Sequence, residues 1–193
     1  MLASALLLLA AFLLGSIPTG VLVARRKGVD LRKVGSGNIG ATNVGRALGK
    51  KWAALVLLAD AGKGAFPVLL LGRASSNPWL PALVGLAAVL GQVFSIFLRG
   101  RGGKGVATSL GAGLALAPLP TLLSLLTFVI VYAAFRVVSL GSLVAIACFP
   151  LFLWVFHLAT LPRLTFAVVV VALVVARHKD NLRRLTRGEE HRA

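Results

Sequence analysis

Long stretches without a charged residue dominate this chain and constrain its fold more than any other feature. Residues 2–24 contain no Asp, Glu, Lys or Arg, and neither do the 31 residues 105–135. About 20 apolar residues suffice for one helix to cross a bilayer. Because only 193 residues are available, of which 58% are hydrophobic and 13% charged, one soluble core could not remove that many apolar side chains from water. The pattern predicts an all-α, polytopic integral membrane protein and excludes a soluble or a disordered chain.

The apolar stretches predict about seven transmembrane helices in a single domain that covers residues 1–193. Residues 105–135 are too many for one helix, and the Pro118-Leu119-Pro120 sequence divides them into two short or tilted spans. If this proline hairpin is re-entrant, five spans remain, and the two termini still lie on opposite sides. The other predicted spans cover residues 2–24, 52–72, 79–98, 137–157 and 164–177.

The basic residues fall almost entirely on one side of this arrangement. Of the 21 Lys and Arg residues, 18 follow the first, third, fifth or last span, Lys63 lies within a span, and only Arg73 and Arg163 fall on the other side. Since cytoplasmic loops are enriched in Lys and Arg, we expect the amino terminus outside and the carboxyl terminus, including Arg192, in the cytoplasm. The net charge of +16 and the 7% aromatic content indicate a bilayer with anionic headgroups as the partner, and no nucleic acid.

Polar residues interrupt two of the predicted spans. Asp60 and Lys63 are three residues apart, and we expect them to form an internal pair because unpaired charges are costly inside a membrane. The sequence Gly15-Ser16-Ile17-Pro18-Thr19-Gly20 is expected to break the first helix near its cytoplasmic end, and Ser139 and Ser142 begin the sixth span on that same side.

A glycine-rich segment, here called the first loop, joins the first two spans and reads Gly35-Ser36-Gly37-Asn38-Ile39-Gly40-Ala41-Thr42-Asn43-Val44-Gly45-Arg46. It contains G-x-G-x-x-G, but a dinucleotide site also needs a βαβ unit, which a helical membrane protein does not provide. Glycines let backbone N–H groups approach an anion, four polar side chains add donors, and Arg46 adds a positive fork. Such a loop before a helix suits a phosphate group. The alternative is a flexible solvated loop.

Two further clusters lie on the same side. The second loop, Gly100-Arg101-Gly102-Gly103-Lys104-Gly105-Val106-Ala107-Thr108, lacks the spacing of a nucleotide-binding P-loop. Its glycines would let the backbone and the Lys104 ammonium reach an anion together, although a basic loop beside a membrane explains the cluster equally well. The tail cluster, Ala176-Arg177-His178-Lys179-Asp180-Asn181-Leu182-Arg183-Arg184-Leu185, places His178, Asn181 and Leu185 on one helix face. Its alternative is a basic tail on the membrane surface.

Several chemistries are not expected. The chain has no G-x-S-x-G sequence for a serine nucleophile, and no Cys, His and carboxylate grouping has the spacing of metal ligands. Five acidic residues, of which Glu189 and Glu190 lie in the tail, cannot supply a paired-metal centre. We therefore expect neither a metal nor a cofactor, and a site that acts through positive charge and backbone donors.

Taken together, these motifs resemble the bacterial acyl-phosphate:glycerol-3-phosphate acyltransferase family (PlsY). The resemblance covers nearly the whole chain and implies a seven-span helical bundle of the bacterial inner membrane with its loops at the cytoplasmic face. It rests on Gly15-Ser16-Ile17-Pro18, the first loop, Asp60 with Lys63-Gly64, residues 102–108, Ser139-Leu140 with Ser142, and Arg177-His178 with Asp180-Asn181.

The resemblance implies that an acyl phosphate donates its chain to the 1-hydroxyl of glycerol 3-phosphate, giving lysophosphatidic acid and phosphate. It implies a substrate site formed by Ser36, Thr42, Arg46, Lys104, Ser142, His178 and Asn181. Of these we expect Lys104, Arg46, Ser36, His178 and Asn181 to be catalytic. The residues expected to bind the substrate phosphates are Gly35, Gly37, Asn38, Thr42, Asn43, Gly102, Gly103, Gly105 and Ser142.

One departure and two alternatives accompany this interpretation. The family usually has Gly-His before the second loop, whereas this chain has Gly91-Gln92, and Gln92 cannot titrate. An anion transporter would suit broken helices and intramembrane charges, but the glycine loops gather on one side and no inverted repeat is visible. A non-catalytic protein that binds anionic lipids is the other alternative. Neither the acyl-chain preference nor the oligomeric state follows from the sequence.

Overall fold

The computed structural model describes residues 2–72, 74 and 76–190, and every regular element in that part of the chain is helical. Arg73 and Arg192, for which the sequence predicted a side of the membrane, lie outside the described residues. Two short 3-10 helices occur at Leu31–Lys33 and Ile96–Leu98. The α-helices are α1 (Leu2–Ser16), α2 (Thr19–Arg25), α3 (Ala41–Leu48), α4 (Lys50–Leu70), α5 (Leu80–Val93), α6 (Val106–Leu116), α7 (Pro118–Phe135), α8 (Val138–Val155), α9 (Leu161–Arg177) and α10 (Lys179–Thr186).

Five of these helical segments are long and apolar enough to cross a membrane, which confirms the predicted helical membrane architecture. They are Leu2–Arg25, Lys50–Leu70, Leu80–Leu98, Pro118–Phe135 and Val138–Val155. Helices α9 and α10 form a sixth candidate that is bent by 61°. Helix α6 is apolar but has only 11 residues, about 16 Å of rise. The number of spans and the sides of the termini therefore stay predictions.

The two helix breaks fall where the sequence predicted them. Helix α1 ends at Ser16 and α2 begins at Thr19, on either side of Pro18, which has no N–H group to donate within a helix. Helix α6 ends at Leu116, and α7 begins with Pro118, at a first-turn position that proline favours.

Small residues let the helices of the bundle approach closely. A Cβ atom at Gly15 would lie 2.0 Å from the backbone oxygen of Ala88, so α1 and α5 pack backbone against backbone. On α6, a Cβ atom at Gly111 would lie 1.8 Å from the backbone oxygen of Ala61 in α4. Such contacts replace the hydrophobic driving force that is missing between helices in lipid. Helix α5 lies at the centre, with ten of its 14 residues buried.

The first loop, the second loop and the tail cluster meet at one end of the bundle, here called the loop end. Arg32 donates from Nη2 to the backbone oxygen of Arg101 at 3.3 Å. Arg177 donates to the backbone oxygens of Gly102 and Gly103 at 3.1 and 3.3 Å. The tail cluster and the 3-10 helix just before the first loop are thus both attached to the second loop.

Candidate active site

The first loop is organised around the buried side chain of Asn43. Its Nδ2 group donates to the backbone oxygens of Leu31, Val34 and Asn38 at 3.1, 3.0 and 2.8 Å, and its Oδ1 atom accepts from the N–H of Ser36 at 3.0 Å. We predicted Asn43 as a substrate donor, but its polar atoms are already used within the loop. Asn43 shapes the turn that presents Ser36.

Glycine is required where the first loop passes Asn43. Gly35 has φ +55°, and a Cβ atom there would lie 2.4 Å from Asn43 Oδ1. Gly37 has φ +67°, also in the left-handed region that favours glycine. The sequence Gly35-Ser36-Gly37 therefore folds into a tight turn around Asn43 and leaves Ser36 on the lining of the cavity described next.

A cavity of about 530 Å³ opens below the first loop. Its polar part includes eight side chains predicted for the site, from four separate regions of the chain. These are Ser36, Asn38, Thr42, Arg46, Lys104, Ser142, His178 and Asn181. Asn43 and Gly105 also line this cavity, whereas Gly35, Gly37, Gly102 and Gly103 do not. The structure thus places together residues up to 145 positions apart in sequence, Ser36 and Asn181.

The other part of this cavity, here called the apolar groove, faces outward between two helices. Ala54 and Leu57 of α4 form one wall, Leu125 and Phe128 of α7 the other, and Leu110 of the short helix α6 lies on the same lining. Leu57 and Leu125 are exposed. In a membrane-spanning bundle, such side chains face lipid. The cavity can therefore accept a molecule with an anionic head and an apolar chain.

A second cavity of about 260 Å³ continues the polar part toward the loop end, and we call it the basic vestibule. It shares Ser36, Asn38, Lys104 and Asn181 with the first cavity. Gly37 and Gly102 line it, whereas Gly35 and Gly103 line neither cavity. The cationic side chains of the vestibule are Arg32, Arg101, Lys104, Arg177, Lys179 and Arg184. Lys104 thus lies where the apolar groove and the vestibule meet.

The Lys104 ammonium is poised to bind an anion. Burial lowers the pKa of Lys104 to about 8, although the nearby Glu190 carboxylate partly opposes the shift. Lys104 therefore remains mostly charged at neutral pH. Its Nζ atom donates to Asn181 Oδ1 at 2.5 Å, the only hydrogen bond of this ammonium among the described residues. Two of its three N–H groups remain available for a ligand.

Glu190 is the site residue that the sequence analysis missed. Its Oε1 atom accepts from Ser139 Oγ at 2.9 Å and from Asn181 Nδ2 at 2.5 Å, and its Oε2 atom accepts from Arg184 Nε at 2.7 Å. Burial raises the pKa of Glu190, but the three hydrogen bonds lower it by more, with the largest effect from Asn181. The pKa of Glu190 therefore lies below its usual value. The carboxylate fixes the Asn181 amide so that Oδ1 faces Lys104.

His178 is 2% exposed and lies beside Lys104. Its Nδ1 atom is 2.8 Å from the backbone oxygen of Val174, so we assign the proton to Nδ1, which leaves Nε2 as the acceptor. Burial and the positive charge of Lys104 lower the pKa of His178 to about 4. The imidazole is therefore neutral at physiological pH.

The tail cluster contains a bend between two helices that was not predicted from the sequence. Helix α9 ends at Arg177, α10 begins at Lys179, and the two are bent by 61°. Asn181 and Leu185 both belong to α10 and lie four residues apart on one face of it, and His178 is the residue that precedes this helix. The side chains of His178 and Asn181 line the same cavity, because His178 lies at the corner and Asn181 within the first turn of α10.

A closed network of charges and amides lies deeper in the bundle. Asp60 and Lys63 form the predicted ion pair at 2.8 Å. Lys63 Nζ also donates to Gln92 Oε1 and to the backbone oxygen of Ile17, each at 2.6 Å. Gln92 Nε2 donates to Asp60 Oδ2 at 3.3 Å, and the Thr19 hydroxyl also donates to Asp60. The network ties the break between α1 and α2 to α4 and α5.

Gln92 connects this network to the active-site loops. Its backbone oxygen accepts from the N–H of Gly103 at 2.9 Å, and its side chain lines the cavity together with Asp60. The amide accepts from Lys63 and donates to Asp60, so it bridges the pair without a change in its own charge. Within the described chain, no group of three or more His, Cys, Asp or Glu side chains could hold a metal ion.

Known proteins with similar sequences and structures share one description. Residues 5–188 match the family model described as glycerol-3-phosphate acyltransferase. A glycerol-3-phosphate acyltransferase of Geobacter sulfurreducens is 48% identical over 184 residues, which cover 94% of this chain and 93% of that protein. The crystal structure of the integral membrane glycerol 3-phosphate acyltransferase PlsY in its glycerol 3-phosphate form superposes with a TM-score of 0.95 at 44% identity, and covers 98% of this chain and 95% of the other. The lysophosphatidic acid form gives 0.92 at 43% identity, with 98% and 94% covered.

Proposed function

This chain belongs to the glycerol-3-phosphate acyltransferase family, and we propose that it moves a fatty acyl group from an acyl phosphate to the 1-hydroxyl of glycerol 3-phosphate. The products are lysophosphatidic acid and inorganic phosphate. The observation that carries the proposal is the meeting of a lipid-facing apolar groove and a basic vestibule at Lys104. One cavity suits an acyl chain, the other a small water-soluble phosphate ester.

The proposed donor fits the residues at this junction. In an acyl phosphate the carbonyl carbon is already activated, since phosphate is a good leaving group. The glycerol oxygen forms a bond to that carbon, the bond to the phosphate oxygen breaks, and the electron pair leaves with the phosphate. Such a reaction needs positioning and stabilisation of negative charge more than a protein nucleophile. The H-x-x-x-x-D pattern of coenzyme A-dependent acyltransferases is absent, because Pro162 and Arg183 follow the two candidate histidines at that spacing.

Lys104 and Arg46 would hold the two substrate phosphates. Lys104 has two N–H groups without a protein partner among the described residues. Arg46 is exposed and lines the same cavity, so its guanidinium can form a bidentate contact. The Ser36 and Thr42 hydroxyls add neutral donors from the first loop. Glu190 and Asn181 would keep Lys104 in place while the charge moves from the anhydride to the departing phosphate.

We further propose that a substrate phosphate oxygen accepts the proton of the attacking hydroxyl. Two observations support this. The pKa of His178 is lowered to about 4, whereas an efficient general base has a pKa near the working pH. Asp60 is held in an ion pair with Lys63. A phosphate with its second pKa at about 6 would lie next to the hydroxyl and is a better proton acceptor than either side chain.

The donor is tested by turnover of the purified full chain in a neutral detergent. Glycerol 3-phosphate is supplied with palmitoyl phosphate, with palmitoyl-coenzyme A, or with a palmitoyl carrier-protein thioester, and lysophosphatidic acid is measured. We expect product only from palmitoyl phosphate. Product from either thioester in the absence of acyl phosphate would contradict the proposed donor, whereas no product from any donor would contradict the proposed activity.

The proposed location is a bacterial inner membrane with the loop end at the cytoplasmic face. The basic residues at the loop end support this orientation. Single cysteines replacing Ser36 or Gly100, in a Cys148→Ala background, should react in intact cells only with a membrane-permeant thiol reagent. Labelling of both positions by an impermeant reagent would place the loop end outside.

A further inference from the structure

A separate cavity at the loop end, here called the arginine cavity, has a volume of about 690 Å³ and includes none of the proposed catalytic residues. It lies where two candidate spans end, since Arg25 closes the span Leu2–Arg25 and Leu98 closes the span Leu80–Leu98. The cavity is therefore at the level where lipid headgroups meet water. Its cationic side chains are Arg25, Arg32, Arg99 and Arg101.

These four guanidinium groups face a single carboxylate. Asp30 lines the cavity, but its Oδ1 atom accepts from the backbone N–H of Arg32 at 3.1 Å. Within the described part of the chain, none of the four arginines forms an ion pair with an acidic side chain. A concave surface on which one sign of charge predominates concentrates the electrostatic potential and attracts a counter-ion. The cavity thus favours an anion with several negatively charged oxygens.

The backbone holds this surface in shape. Arg32 donates from Nη2 to the backbone oxygen of Arg101, which joins the two sides of the cavity. Arg99 has φ +54° and Gly100 has φ +77°, so the chain turns sharply after Leu98. Two consecutive left-handed residues reverse the chain between Leu98 and Arg101, the two ends of this wall of the cavity.

Apolar side chains next to the cavity indicate that the anion belongs to a lipid. Phe97 lines the cavity and is 59% exposed, and the nearby Phe94 and Ile96 are also exposed. Leu22, beside the cavity residue Val21 on α2, is exposed as well. Aromatic side chains are enriched at the membrane interface, whereas a site for a soluble anion needs no such neighbours. A lipid whose phosphate occupies the cavity would have its acyl chains beside these residues.

We propose that the arginine cavity binds the phosphate headgroup of an anionic phospholipid. The site is distinct from the cavity where the reaction is proposed, and the inference does not depend on the acyl donor. Arg32 and Arg101 line both the arginine cavity and the basic vestibule. A bound lipid therefore contacts the back of the loops whose other side forms the vestibule.

The test measures lipid binding to the purified full chain by native mass spectrometry from a neutral detergent. Phosphatidylglycerol is compared with phosphatidylcholine, which has the same acyl chains but no net charge. The test variant is Arg25→Gln with Arg99→Gln, and the matched control is Arg26→Gln with Arg136→Gln, which removes the same charge from residues outside the cavity. We expect the wild-type chain to prefer phosphatidylglycerol, the test variant to bind it about 30-fold more weakly, and the control to change by less than threefold.

Three outcomes would overturn the proposal. They are equal binding of the two lipids by the wild-type chain, equal losses in the test and control variants, and full displacement of phosphatidylglycerol by millimolar inorganic phosphate, which would identify a site for a soluble anion. If the double variant does not fold, Arg99→Gln alone is used, with an expected loss of about fivefold against Arg136→Gln as its control. Helix content by circular dichroism verifies the fold of each variant.

Discussion

The protein contains two partly or fully buried lysines whose surroundings differ in one decisive respect. Lys63, inside the bundle, donates to three acceptors, the Asp60 carboxylate, the Gln92 amide and the backbone oxygen of Ile17. Lys104, at the loop end, donates to Asn181 alone among the described residues. An ammonium has three N–H groups. All three N–H groups of Lys63 thus have acceptors within the protein, whereas Lys104 has N–H groups left for a ligand.

This difference distinguishes a structural charge from a binding charge. Lys104 lines the cavity, and Lys63 contacts Asp60 and Gln92, which also line it. Burial and charge alone therefore do not show which lysine binds substrate. A saturated ammonium loses hydrogen bonds when it contacts a phosphate, whereas an unsaturated one gains them. We therefore expect Lys63 to affect stability and Lys104 to affect turnover.

The largest effect is expected when the inner network is broken. Lys63→Met leaves the Asp60 carboxylate buried without its counter-ion, and the removal of one partner of a buried pair typically costs about 3–5 kcal/mol. We expect a strongly lowered thermal midpoint, measured by circular dichroism in detergent. Lys51→Met, an exposed position on the same helix, is the control and should be neutral. A Lys63→Met protein as stable as wild type, but inactive, would place Lys63 among the binding charges.

The corresponding change at the loop end should leave the fold intact and remove activity. Lys104→Ala and Arg46→Ala each delete a charge-assisted contact with a phosphate, which costs about 2–4 kcal/mol, or roughly 30- to 1,000-fold in rate. Arg46→Lys should not restore the rate if the contact is bidentate. The measurements are acyltransfer rate and thermal midpoint, with exposed Lys33→Ala as the control. Loss of stability in parallel with rate would make Lys104 a second structural charge.

Part of this comparison was accessible from the sequence. The apolar stretches predicted the helical membrane architecture, the prolines predicted both helix breaks, and the three-residue spacing of Asp60 and Lys63 predicted their pair. All three rules act within short stretches of the chain. Glu190 was missed because its partners Asn181 and Ser139 lie nine and 51 residues away, and no local pattern reports that the tail folds back. The bend at His178 was missed for a similar reason, because its flanking residues include no proline or glycine.

The pH dependence of kcat/KM should report the titration of Lys104 directly. Because the pKa of Lys104 is lowered to about 8, its ammonium is present below that pH and is lost as the pH rises through it. We expect kcat/KM for glycerol 3-phosphate to fall above pH 8 by up to about tenfold per pH unit, since kcat/KM reports the free enzyme. Lys104→Arg keeps its positive charge throughout the pH range of the assay and should lack this decline. The same decline in Lys104→Arg would assign it to another group.

The smallest effect is expected at His178, a neutral group beside Lys104. With a pKa of about 4, the imidazole is a weak base, and its Nδ1 proton is committed to the Val174 oxygen. Only Nε2 is left to contact substrate, as one neutral hydrogen-bond acceptor worth about 1 kcal/mol. His178→Asn should therefore raise the KM for glycerol 3-phosphate by about fivefold and leave the rate at saturating substrate near that of wild type. Initial rates over a wide range of glycerol 3-phosphate separate the two parameters. A large fall in kcat that added imidazole restores would instead identify His178 as the general base, and the proton would then pass to the protein rather than to a substrate phosphate.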